Sequence, residues 1–200
     1  MTPAHDSIQA LYKASSTPQS VVVPELRYLM IDGQGDPNTS AAYAEALQAL
    51  YGVSYGARFA VKKAGGEVFK VSPLEGLWWS PDPEVFLTGD RSQWLWTMMI
   101  RQPDSVTADL VADLMEQVAT KKAIPAARQL RLETLAEGTA AQVLYLGPYT
   151  GEGPTIQGLH DFIHQNGCQL DGKHHEIYLG DPRRTAPEKL RTILRQPYRA

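Results

Sequence analysis

Residues 143–167 read VLYLGPYTGEGPTIQGLHDFIHQNG. An apolar run from Val143 gives way to a loop rich in glycine and proline. Beyond it, Ile156, Leu159 and Ile163 recur at helical spacing until Gly167 stops the pattern. Residues 28–52, YLMIDGQGDPNTSAAYAEALQALYG, run through the same series. There the helical stripe is Tyr43, Leu47, Leu50 and Tyr51, Asn38 or Thr39 is placed to cap the helix, and Gly52 ends it. The likeness is one of pattern; two unrelated strand–loop–helix units would look the same. Taken as a repeat, it predicts an α+β chain of two halves related by a pseudo-twofold. Each half buries one sheet face beneath its helix, and the remaining faces can meet across a groove. Grooves between repeated halves are favoured ligand sites.

The remaining segments fit around that frame. Residues 1–20 form a polar, partly ordered lead-in, followed by one domain over 21–200 with halves near 21–125 and 126–200. ARFAVKK and EVFKVS, joined at Gly65-Gly66, read as a hairpin. LEGLWWS and SQWLWTMMI read as strands, the second with Trp94, Trp96 and Met98 on one face. Residues 105–121 read as a helix through Leu110, Leu114 and Val118, and QLRLETL and AAQVLYLG as strands. Near the C-terminus, Thr185, Pro187 and Glu188 form a capping box that announces a short helix.

Composition excludes several classes. A net charge of -3 offers no general pull toward nucleic acid or anionic lipid. The basic residues near the end (Arg183, Arg184, Lys189, Arg191, Arg195, Arg199) read as a helix and its flanks, and nucleic acid is not the expected partner. No apolar run approaches the ~18 residues of a membrane span. The N-terminus lacks the basic start and apolar core of a signal peptide. Cys168, the one cysteine, forms no intrachain disulfide and fits a reducing cytoplasm. His160 and His164 stand at i and i+4, but HDFIH lacks the glutamate of HExxH and both lie off the Ile156–Leu159–Ile163 stripe, so they read as a solvated face. No cofactor is expected.

One acid stands out. In HHEIYLGDPRR, His174 to Arg184, Glu176 interrupts a strand, and strands are depleted in Glu. Alternation puts His174, Glu176 and Tyr178 on one face and His175, Ile177 and Leu179 on the other. On the residues alone, Glu176 reads more readily as an exposed acid beside a turn, or as a partner of Arg183 or Arg184, than as an acid lining a cleft.

Five phrases together resemble the GyrI-like small-molecule-binding domains: YLMIDGQGDPN, PLEGLWW, QWLWTMMIRQPD, VLYLGPYTGEGPTI and HHEIYLGDPRRTAPEKLRTILRQPY. The resemblance runs from about Leu26 to Tyr198. It implies duplicated βαββ halves of the SHS2 type, mostly antiparallel sheets with helices on the outer face, and a cleft at the pseudo-twofold. It implies an apolar aromatic or cationic small-molecule ligand, with Glu176 as the matching acid. Members of the family act as sensor domains of regulators, as gyrase protectors, or as hydrolases of cyclopropane-containing DNA-alkylating compounds.

On that reading Glu176 is a counter-ion for a cation, or a general acid or base whose pKa burial would raise. Glu75 is its loose counterpart in the first copy. Trp79, Trp94 and Trp96 are candidate aromatic walls, with core packing as the alternative for each. Tyr149 stands in the loop of the second copy. In the hydrolase reading, Tyr145 or Tyr178 would donate to a ligand carbonyl while Glu176 activates water.

Overall fold

The computed structural model describes residues 5–81 and 91–200, so the first four residues of the N-terminal lead-in lie outside it. The chain divides into two compact units, one formed by the chain up to Glu25 together with Ala136–Ala200, the other by Leu26–Leu135. Both are mixed helix and antiparallel sheet, as the α+β reading expected.

In the 26–135 unit, β2 (Leu26–Gln34) leads into α2 (Ala41–Lys63), then β3 (Leu74–Trp79), β4 (Leu95–Arg101), α3 (Ala108–Lys121) and β5 (Arg131–Leu135). The strands lie in the order β3-β4-β2-β5, each pair antiparallel. The rows Gly33–Trp96–Trp78 and Ile31–Met98–Gly76 point to one side, where Tyr43 of α2 meets Trp78 and Trp96. Helix α2 buries Ala46, Ala49, Leu50, Val53 and Ala57.

Helix α2 corrects two expectations. It runs through Gly52 and absorbs ARFAVKK, and EVFKVS forms no strand. Glycine inside a helix costs about 1 kcal/mol against alanine, but here it is a contact surface. A Cβ on Gly52 would stand 3.1 Å from Val118 Cγ1, and one on Gly56 2.9 Å from Leu114 Cδ2, so both glycines let α3 approach. The glycine that ends the helix is Gly65, at φ 79°, with Gly66 N–H donating back to Val61 O. Ser40, rather than Asn38 or Thr39, is the cap, its Oγ accepting from Tyr43 N–H at 3.2 Å.

The other unit contains α1 (His5–Ala10), β1 (Gln19–Val23), β6 (Gly138–Leu146), α4 (Gly153–Gln165), β7 (Gln169–Leu170), β8 (His174–Tyr178) and β9 (Arg191–Arg199). Its strands run β1-β6-β9-β8, with β7 beside the far end of β9. Leu159 and Ile163 of α4 pack on Ala141, Val143 and Leu194. With the two-residue β7 set aside, the order strand–helix–strand–strand recurs, β2-α2-β3-β4 in one unit and β6-α4-β8-β9 in the other.

Strand β9 replaces the helix expected after the capping box, which closes only a single turn, Pro187–Lys189. Pairing on both sides, with β6 and β8, outweighs the local helix signal. Its Arg195 is no surface cation: 1% exposed, it donates to Glu137 Oε2 at 3.1 Å, to Gln142 Oε1 and to Leu11 O at 2.8 Å. Glu137 also lies 2.8 Å from His175 Nδ1. Burial alone pushes the Glu137 carboxyl up, but His175 and Arg195 together outweigh it and hold it down to about 2. Gln142 Nε2 donates to Lys13 O and Leu144 N–H to Ser15 O, so the lead-in beyond α1 is bound to this sheet. Among the described residues, no helix is long and apolar enough to cross a membrane.

Candidate functional site

The alternation expected for β8 is present: His175 and Ile177 are buried on one side, and His174, Glu176 and Tyr178 share the other. The register fixes which side that is. Glu176 lies opposite Leu194, which lies opposite Val143, and both apolar residues pack beneath α4. Glu176 therefore stands on the helix-covered face of its own sheet, not on the face turned away from the helix. In the next row, Tyr178, Thr192 and Tyr145 stand side by side on three adjacent strands.

Four side chains gather at Glu176, three of them beside it and Tyr149 by way of Tyr178. Tyr178 Oη donates to its Oε2 at 2.7 Å. His174 Nε2 lies 3.5 Å from its Oε1. The Tyr149 ring, from the loop before α4, meets the Tyr178 ring edge-on at 5.5 Å. The fourth is Glu152, at the N-terminal end of α4.

Glu152 was not singled out by the sequence. It is 4% exposed, makes no capping hydrogen bond, and its Oε1 is buried without a hydrogen-bond partner. Burial, and next the charge of Glu176, push its carboxyl up to about 9, so it is protonated at neutral pH. Thr192 acts in the opposite direction on Glu152, although its hydroxyl makes no formed hydrogen bond. The positive end of α4 would favour a charged carboxylate, yet burial and the second acid prevail. The only hint in the sequence was an acid between the glycines of GEG, which resembles a phosphate loop too weakly to be read as one.

Tyr145 sits beneath the loop before α4. Its hydroxyl donates to Pro148 O at 3.0 Å. A Cβ on Gly147, at φ 140°, would stand 2.7 Å from that hydroxyl, and one on Gly151 would also collide with it. The glycines thus wrap the loop over the phenol. Burial, and next Glu152, raise the Tyr145 pKa. His160, on α4, is held below the usual histidine range by burial, then by His174 and His164. Among the described residues no group of three or more His, Cys, Asp or Glu side chains is placed to hold a metal.

The remaining candidates belong to the 26–135 unit. Trp96 is 1% exposed and lies over Gly33, where a Cβ would overlap its ring. Trp78 packs between Tyr43 and Trp94, and Arg91 stands 5.1 Å above the Trp94 ring. Trp94 itself precedes β4 rather than belonging to it. Trp79 and Glu75 alternate to the face of β3 away from α2. There Glu75 is fully buried and accepts from Tyr28 Oη at 3.3 Å. Measured against its own helix, Glu75 is on the opposite side from Glu176.

Solved structures share this architecture across nearly the whole chain. A conserved protein of Listeria innocua is 37% identical, with a TM-score of 0.89 over 97% of this chain and 98% of that one. A hydrolase of Listeria innocua is 35% identical, with a TM-score of 0.84 and the same coverage. The C-terminal domain of EcmrR, 10% identical with a TM-score of 0.56 over 92% of this chain and 97% of that one, shares the fold. No protein of curated function matches the sequence. The model of the GyrI-like small molecule binding domain matches residues 16–199, and the chain belongs to that family.

Proposed function

We propose that this protein binds a flat, apolar or cationic aromatic molecule beside Glu176 and adds water to it, as a hydrolase of strained, cyclopropane-containing electrophiles. The observation that carries the reading is the unequal pair of carboxyls. Glu152 is buried and held protonated, whereas Glu176 accepts a hydrogen bond from Tyr178. Two acids whose surroundings separate their roles are suited to general acid and general base. The 35% identity to Listeria hydrolases over nearly the full length of each chain supports it.

In the reaction, Glu176 takes a proton from water as the water oxygen bonds to a cyclopropane carbon. The ring carbon–carbon bond breaks, and its electron pair moves through the conjugated ring to the carbonyl oxygen. Glu152 gives that oxygen its proton. The product is the substrate plus one water, and a proton passing from Glu176 to Glu152 restores the pair. Tyr149 and Tyr178 supply aromatic surface for the ligand.

The second reading is sequestration without turnover. It is favoured by the two tyrosine rings, Tyr149 and Tyr178, that stand beside the Glu176 carboxyl, an arrangement that suits a cationic aromatic compound. Incubating the wild type and Glu176→Gln with a spirocyclopropyl cyclohexadienone, and separately with a cationic dye, decides between them. Water addition by the wild type and none by the variant is the expected result. Stoichiometric dye binding with unchanged dienone would replace hydrolysis by sequestration, and the absence of both would overturn each reading.

A further inference from the structure

In the unit that carries Glu176, buried side-chain polar atoms lacking a hydrogen-bond partner include Glu152 Oε1, Thr192 Oγ1, His160 Nε2 and both ring nitrogens of His174. All belong to the Glu176 face or to the helix end and helix that cover it. Folded proteins pair nearly all such atoms, and a cluster of exceptions calls for an absent partner such as water or a ligand. Thr192 is the most telling of them. It is 0% exposed, on the strand between β6 and β8. Its neighbours in the row are spoken for: the Tyr145 hydroxyl donates to Pro148 O and the Tyr178 hydroxyl to Glu176. Either tyrosine had been the expected donor to a ligand carbonyl. The Thr192 hydroxyl stands near enough to the Glu152 carboxyl to favour its charged form, but in a geometry short of a formed hydrogen bond. Two neighbouring groups without a formed partner, each able to donate, can both be satisfied by a third oxygen that accepts from both.

The geometry points to Thr192 as a specificity-determining residue whose hydroxyl, together with the Glu152 carboxyl, binds a carbonyl oxygen of the ligand. The assignment rests on the proposed water addition, in which that oxygen gains negative charge. A donor aimed at such an oxygen acts mainly on the transition state. A site built to bond an oxygen also rejects molecules that lack one.

Thr192→Val keeps the shape and removes the hydroxyl. If that hydroxyl has no partner in the free protein, the variant melts higher, by about 2–4 °C. It then hydrolyses the spirocyclopropyl cyclohexadienone about 100-fold more slowly, chiefly through kcat. Thr192→Ser, which restores the donor, keeps turnover. Binding of the same ring system without its carbonyl is unchanged by Thr192→Val. A lower Tm for Thr192→Val would show a hydroxyl already satisfied and overturn the assignment. Turnover at the wild-type rate would overturn it too, leaving the hydrolase reading intact. A wild type that neither binds nor hydrolyses the dienone would remove the functional reading and the subsite together.

Discussion

Tyr178 Oη and Glu176 Oε2, two residues apart on β8 and on the same face of the sheet, are joined by a 2.7 Å hydrogen bond. The bond fixes where the carboxylate points. Hydrogen bonds to charged groups contribute about 1.5–3 kcal/mol.

Tyr178→Phe keeps the ring that packs on Tyr149 and loses this bond. Turnover of the dienone is expected to fall about 10- to 100-fold, the kinetic equivalent of that energy. Steady-state kinetics check it. Wild-type kcat in the variant would show that Glu176 is oriented by other groups.

Glu152 predicts how stability depends on pH. Its folded pKa, about 9, lies above the ordinary value of 4.5. Between those values the folded state holds a proton that the unfolded state has lost, so stability declines with rising pH. The contribution is complete below about 4.5 and gone above about 9. Glu152→Gln is neutral throughout and lacks this slope. Melting curves from about pH 5 to about pH 9 should show the wild type losing ground steadily against the variant. Parallel curves would mean that the carboxyl is ionised in the fold.

Glu137 works with the opposite sign. Its folded pKa, about 2, lies below 4.5, so its contribution is present above 4.5 and lost as pH falls toward 2. Glu137→Gln leaves the Arg195 guanidinium buried without its counter-charge. Removing one partner of a buried pair costs about 3–5 kcal/mol. Urea denaturation of the variant at neutral pH should show a loss of that size. A loss below about 1 kcal/mol, typical of an exposed pair, would mean that water reaches the arginine.

Local periodicity made the frame legible. The stripes of α3 and α4 and the alternation of β8 could be read from residue types, whereas the order strand–helix–strand–strand came only with the family resemblance. Errors arose where distant partners overrule local preference. Gly52 looks like a stop until Val118 is placed against it, and Thr185 with Glu188 looks like a helix start until β9 pairs on both sides. The acid in β8 was visible because Glu is out of place in a strand. Glu152 was hidden because an acid in a glycine-rich loop is ordinary, and only tertiary burial makes it unusual. Thr192 was hidden for the same reason, threonine being at home in any strand.

The hydrogen bond from Arg195 to Leu11 O joins residues 184 positions apart. The unit it belongs to is assembled from two stretches of chain separated by the whole of 26–135. Contacts so distant in sequence form slowly, because the loop between them must be closed first. During synthesis the continuous 26–135 stretch has all its strands and helices in hand early. The unit bearing Glu176 must wait for β9, which stands between β6 and β8, before those two strands are joined. Residues 191–199 therefore decide when the acid pair comes into being.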